Sequence, residues 1–142
     1  MSESSYIHSM LVHFPIALIV VGFLADFFVF FFKREVCTSK VGFFLMIIGT
    51  IGAIAAVLSG QVSPKELDQE AKYYQQIHIL FASISMYIMI IASIFRAYII
   101  LLKKEINILK WVIFVLYGIG AMAVSIAGFF GSALVYKFID EF

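Results

Sequence analysis

Charge is scarce in this chain of 142 residues: Asp, Glu, Lys and Arg make up 13% of it, against about 25% in a soluble domain. With 63% hydrophobic residues, so thin a polar coat excludes a water-soluble globular fold. The formal charge of +1 leaves no basic field for nucleic acid. Cysteine occurs once, as Cys37, so no intrachain disulfide can form. Proline occurs twice, as Pro15 and Pro64, which leaves long stretches without a helix breaker. A Gly-rich phosphate loop, Cys-x-x-Cys, Glu-x-x-His and a serine nucleophile elbow are all missing, so neither nucleotide binding nor hydrolysis is indicated. A conventional enzyme is therefore not expected. Aromatic residues are abundant instead, with 16 Phe, and disordered chains are poor in them.

Four continuous apolar runs are each long enough for a hydrocarbon core that needs about 20 helical residues. None shows the alternation of a barrel strand. The expected fold is all-α: one integral membrane domain over residues 1–142, a four-helix up-down-up-down bundle. Its helices are expected at about 10–32, 41–60, 64–102 and 111–136. Ser63-Pro64-Lys65-Glu66 reads as a capping box with proline at the first helical position. The third helix would then start above the membrane. Lys33, Arg34, Lys40, Arg96, Lys103, Lys104 and Lys110 fall on one side, seven of the ten basic residues. The positive-inside rule makes that side cytoplasmic and puts both termini outside. A bacterial cytoplasmic membrane is the expected location. The segment before the first run carries Glu3 and no basic residue, unlike a signal peptide, so the first helix is expected to stay in the mature protein.

Three histidines, His8, His13 and His78, share one depth at the outer side. Imidazoles at headgroup depth need no ligand to explain them. Pro15 favours a helix start close to His13, and His8 lies five residues before it, about 140° away on a helical wheel. On the third helix His78, Ser85, Met89, Ser93 and Arg96 form a stripe, and His78 and Arg96 are 18 residues apart, five whole turns. That face should turn inward. Small residues crowd the outer halves of the other two helices: Gly52, Ala56 and Gly60 on one, Gly128 and Gly131 on the other. Close helix packing explains them; so does room for a flat ligand at the histidine level.

In a bundle traced in sequence order, the first and third helices lie on a diagonal, with neighbouring axes about 8–10 Å apart. Two imidazoles facing across that gap can share one iron atom. His13 and His78 are the expected axial ligands of a b-type haem, with His8 beside them or as a substitute. A single transition-metal ion held by His8, His13, His78 and a carboxylate such as Glu70 is the alternative, as is no cofactor at all. Asp26 and Arg96 both fall in the inner half. A charge there is expensive unless paired, so an Asp26–Arg96 ion pair between the first and third helices is expected, with Arg96 snorkelling to the headgroups as the other option.

The stretch His8-Ser9-Met10-Leu11-Val12-His13-Phe14-Pro15-Ile16-Ala17-Leu18, followed by Asp26, resembles a bacterial membrane family catalogued as domain of unknown function 2231. His78 and the run Gly128-Phe129-Phe130-Gly131-Ser132-Ala133-Leu134-Val135-Tyr136 match its later features, so the likeness spans nearly the whole chain. Ser9 departs from it, standing where the family usually has Pro. The resemblance implies four helices and association with Rieske-type iron–sulfur and cytochrome modules. The expected function is a small haem-binding membrane protein, either transferring electrons or serving as a subunit of a redox complex, with a homo-oligomer as a further option. Its rival is a non-catalytic scaffold or accessory subunit.

Overall fold

The computed structural model describes residues 3–32, 36–60, 68–103 and 106–137. They form four helices: α1 (Glu3–Phe32), α2 (Val36–Gly60), α3 (Gln69–Leu102) and α4 (Asn107–Lys137). No strand occurs among the described residues. The Ser63–Glu66 capping box lies outside them; the described N-cap of α3 is Asp68, whose carbonyl accepts from the Lys72 N–H at 2.9 Å.

The largest departure from the sequence expectation is at the start of α1. The helix does not begin near His13 but at Glu3, and it runs straight through Pro15. Proline removes one backbone donor, which membrane helices tolerate where neighbouring protein covers the gap. Here Pro15 is buried, and Gly52 of α2 faces it: a Cβ at Gly52 would sit 3.4 Å from the Pro15 ring. α2 thus packs on the broken turn at ordinary contact distance. His8 is thereby part of a helix rather than of a segment before it.

The helices stand in a square. α1 packs on α2 and α4, α3 packs on α4 and α2, and α1 and α3 face each other across a diagonal without backbone contact. The α1–α2 and α3–α4 faces are far more extensive than the two seams between them, so the bundle is two hairpins laid together. On the first hairpin His8 meets Ser59, Ile19 meets Gly49 and Asp26 meets Gly42, numbers rising on one helix as they fall on the other. On the second, His78 meets Ala127 and Ser85 meets Gly120 in the same sense.

Ile19, Met46, Met89 and Tyr117 are fully buried at the centre, wrapped by Ala53, Ala92, Ala121 and Val124. Glycines admit the large side chains: a Cβ at Gly120 would lie 2.7 Å from Met89 Sδ, and one at Gly49 2.8 Å from Ile19 Cγ1. Outside, the bundle presents Phe28, Phe44, Ile51, Tyr87, Ile94, Val115 and Phe129. That apolar surface, on four helices long and apolar enough to cross a membrane, marks a multi-pass membrane protein. Lipid supplies no hydrophobic drive for helices to associate, so packing and interhelical hydrogen bonds hold them, each bond contributing about 0.6 kcal/mol. Thr50 and Ser93 join α2 to α3 at 3.0 Å, and Ser85 Oγ donates to the Gly120 carbonyl at 2.9 Å, joining α3 to α4.

Candidate functional site

Two pairs of polar side chains cross the α1–α3 diagonal. At one end of the bundle His8 and His78 face each other with ring centres 6.2 Å apart and planes at 89°. At the other, Arg96 grips Asp26 at two points, Nη1 to Oδ2 and Nη2 to Oδ1, the latter at 2.9 Å. His8 and Asp26 are 18 residues apart, and so are His78 and Arg96. Eighteen residues are five turns, about 27 Å, so one register places both pairs.

The histidine hydrogens can be assigned from their partners. His78 Nδ1 lies 2.7 Å from the Ala127 carbonyl, which can only accept, so Nδ1 carries the proton. Ser59 Oγ donates to the Ala56 carbonyl at 2.9 Å, which leaves it as acceptor for His8 Nδ1–H, also at 2.9 Å. Each ring therefore donates through Nδ1 to its own hairpin, and a neutral ring then keeps a lone pair on Nε2. A donor bond of this kind on the far nitrogen is what fixes and strengthens a metal-ligating histidine. Burial pushes His8 below the ordinary imidazole range; the charge on His78 adds to the shift, and the Ala56 carbonyl opposes it. The net effect favours the neutral ring.

Glycine seats both rings. A Cβ at Gly131 would lie 2.8 Å from His78 Nδ1, and one at Gly60 would lie 2.9 Å from His8 Cε1. Beside them stand Ala56 and Ala127, both buried. At the level of the rings α2 thus offers Ala56, Gly60 and the Ser59 hydroxyl, and α4 offers Ala127 and Gly131. Gly52 and Gly128 do other work, facing Phe14 with Pro15, and Ile16, respectively; they serve helix contact, not the rings.

The structure brings His8, not His13, to His78. His13 is exposed, as its position about 140° around α1 from His8 requires. The sequence expectation of His13 as the partner rested on a helix starting at His13. Once α1 begins at Glu3, the shared spacing of 18 is the signal that selects His8, and it was legible on α3 as His78 and Arg96. Glu70 does not approach the rings; it pairs with Lys137, whose Nζ also sits 5.1 Å from the Tyr74 ring centre. Among the described residues no group of three His, Cys, Asp or Glu could hold a metal ion. The four-ligand set of His8, His13, His78 and Glu70 is therefore not assembled.

Asp26 and Arg96 side chains are each 12% exposed. Arg96 turns inward rather than snorkelling, and its guanidinium carbon lies 5.8 Å from the centre of the Phe43 ring. Gly42 makes room for the carboxylate: a Cβ there would lie 2.0 Å from Asp26 Oδ1.

The comparison with known families agrees that this is a membrane protein. Residues 5–139 match the model of the family described as predicted membrane protein (DUF2231), and the chain belongs to that family. No curated protein and no solved structure matches it.

Proposed function

We propose that this member of the DUF2231 family carries a b-type haem between His8 and His78 and serves one-electron transfer, alone or within a larger redox complex of the membrane. One observation carries the reading: two imidazoles from diagonal helices, centres 6.2 Å apart, each with Nδ1–H held by an acceptor on its own hairpin. With metal–nitrogen bonds of about 2 Å, two imidazoles on opposite sides of one metal atom place their ring centres about 6 Å apart. The pair supplies two nitrogens and no more. A bare ion would be short of ligands there, whereas haem iron needs only two axial ones. Ala56, Gly60, Ala127 and Gly131 flank the rings with the least bulk that residues can offer.

Haem, when bound, supplies the one-electron chemistry. The chain's own part is to orient both rings and to favour the neutral form of His8. Ser59 and the Ala127 carbonyl fix the tautomers, and Gly60 and Gly131 fix the ring positions. The ion-pair end carries Lys40, Lys103 and Lys110. By the positive-inside rule it faces the cytoplasm, which puts the histidines and both termini at the outer face of a bacterial cytoplasmic membrane, with the bundle running up-down-up-down.

The test is spectroscopic. Purified protein, as isolated or after haemin addition, should show a Soret band and the sharp visible bands of low-spin six-coordinate iron. Imidazole planes at 89° leave two iron d orbitals nearly equal in energy, so the ferric form should give a strongly anisotropic electron paramagnetic resonance signal. Folded protein that takes up no haemin would refute the proposal.

A further inference from the structure

Tyr117 of α4 is fully buried, and its hydroxyl has no hydrogen-bond partner among the described residues. The other buried polar side chains behave differently: Thr50, Ser85 and Ser93 are all bonded. A buried orphan hydroxyl is unfavourable, and its ring contact with Phe23 (5.8 Å between centres) would be available to phenylalanine, a residue this chain uses 16 times. The hydroxyl rests on the α1 backbone: a Cβ at Gly22 would lie 2.1 Å from it. Asp26 is one turn further along α1, and helical side chains lean toward the N-terminus, which carries its carboxylate toward Gly22. Tyr117 is within electrostatic reach of both Asp26 and Arg96, but no direct bond forms.

We propose that one bound water molecule bridges the Tyr117 hydroxyl and the Asp26 carboxylate, so that Asp26, Arg96 and Tyr117 form a single hydrated polar centre across α1, α3 and α4. A buried water needs two to four polar partners, and the unmet Tyr117 hydroxyl, the Asp26 carboxylate and the Arg96 guanidinium can supply them. A polar contact too long for a direct bond is the usual setting of a bridging water. The water accepts from Tyr117 and donates to Asp26. It lowers the penalty of holding a carboxylate inside the bilayer and ties α4 to the diagonal pair. The proposal is independent of the haem.

Tyr117→Phe in the full-length protein tests it, because the ring and its packing are kept. A merely orphaned hydroxyl predicts an unchanged or higher melting temperature in the variant, and that result overturns the proposal. The bridged hydroxyl predicts a Tm lower by a few °C. Proton-detected solid-state NMR of the wild-type protein in lipid gives the second readout. A cross peak between the Tyr117 hydroxyl proton and a slowly exchanging water is expected, and its absence overturns the proposal whatever the melting temperature.

Discussion

At one end of the bundle Arg96 closes on Asp26 with two parallel N–H···O contacts; five turns away along both helices, His8 and His78 stop short of one another, ring centres 6.2 Å apart. The same diagonal and register serve both pairs, and each has glycine on a neighbouring helix making room: Gly42 for Asp26, Gly60 for His8 and Gly131 for His78. The chemistry differs. The ion pair is complete, donor matched to acceptor, and links the two hairpins directly. The histidines are each tied through Nδ1 to their own hairpin, His8 to Ser59 and His78 to Ala127, and no hydrogen bond between the two rings occurs among the described residues. One end is a latch; the other is the socket that the proposed haem would fill.

Breaking each end in turn separates latch from socket. The largest effect on stability should come from Asp26→Leu or Arg96→Leu, which leaves an uncompensated charge inside the bundle and should cost about 3–5 kcal/mol. The double substitution Asp26→Leu/Arg96→Met should recover most of that loss in a thermal melt. Next come the glycines. Gly131→Ala and Gly60→Ala must each displace an imidazole, at about 1–3 kcal/mol, and should also remove any haem spectrum. Gly52→Ala, whose Cβ would meet its neighbours at 3.4 Å, should leave melting and spectrum nearly unchanged. Ser59→Ala then removes the His8 Nδ1 acceptor, at about 1 kcal/mol; haem should still bind, with a shifted reduction potential measured by redox titration.

A smaller effect should follow pH. The folded-state pKa of His8 lies below the ordinary 6.5. As pH falls, the unfolded chain takes up this proton before the folded one does. The stability contributed by the neutral ring is therefore full above about pH 6.5 and declines below it, toward the folded pKa. Haem-free protein should melt at a lower temperature at about pH 5.5 than at about pH 7.5, and His8→Ala should flatten that dependence. Least affected should be His13→Ala, whose side chain is exposed: a change within about 0.5 kcal/mol in the melt.

Composition and run length sufficed for the four helices, because hydrocarbon thickness and backbone hydrogen bonding leave a chain this apolar few alternatives. The Asp26–Arg96 pair was legible for a similar reason, since two opposite charges in the inner half of diagonal helices have few other partners. Helix ends were less so. Hydropathy marks where side chains turn polar, not where backbone bonding stops, so α1, α2 and α4 all extend beyond their apolar runs. The choice between His8 and His13 hung on one such end. Proline is a strong start signal in water, but a membrane helix packed among neighbours tolerates it, and α1 runs through Pro15; a shift of five residues turns an imidazole by about 140°. Which glycines seat the rings and which seat Ile16 or Pro15 depends on the rotation of α2 and α4, which small-residue spacing does not specify.

Haemin titration of wild type, His8→Ala and His13→Ala, followed by visible absorbance, bears most directly on the paired-imidazole site. Wild type and His13→Ala should bind one haemin per chain with the same low-spin spectrum, and His8→Ala should lose that spectrum. Binding lost in His13→Ala and kept in His8→Ala would contradict the account.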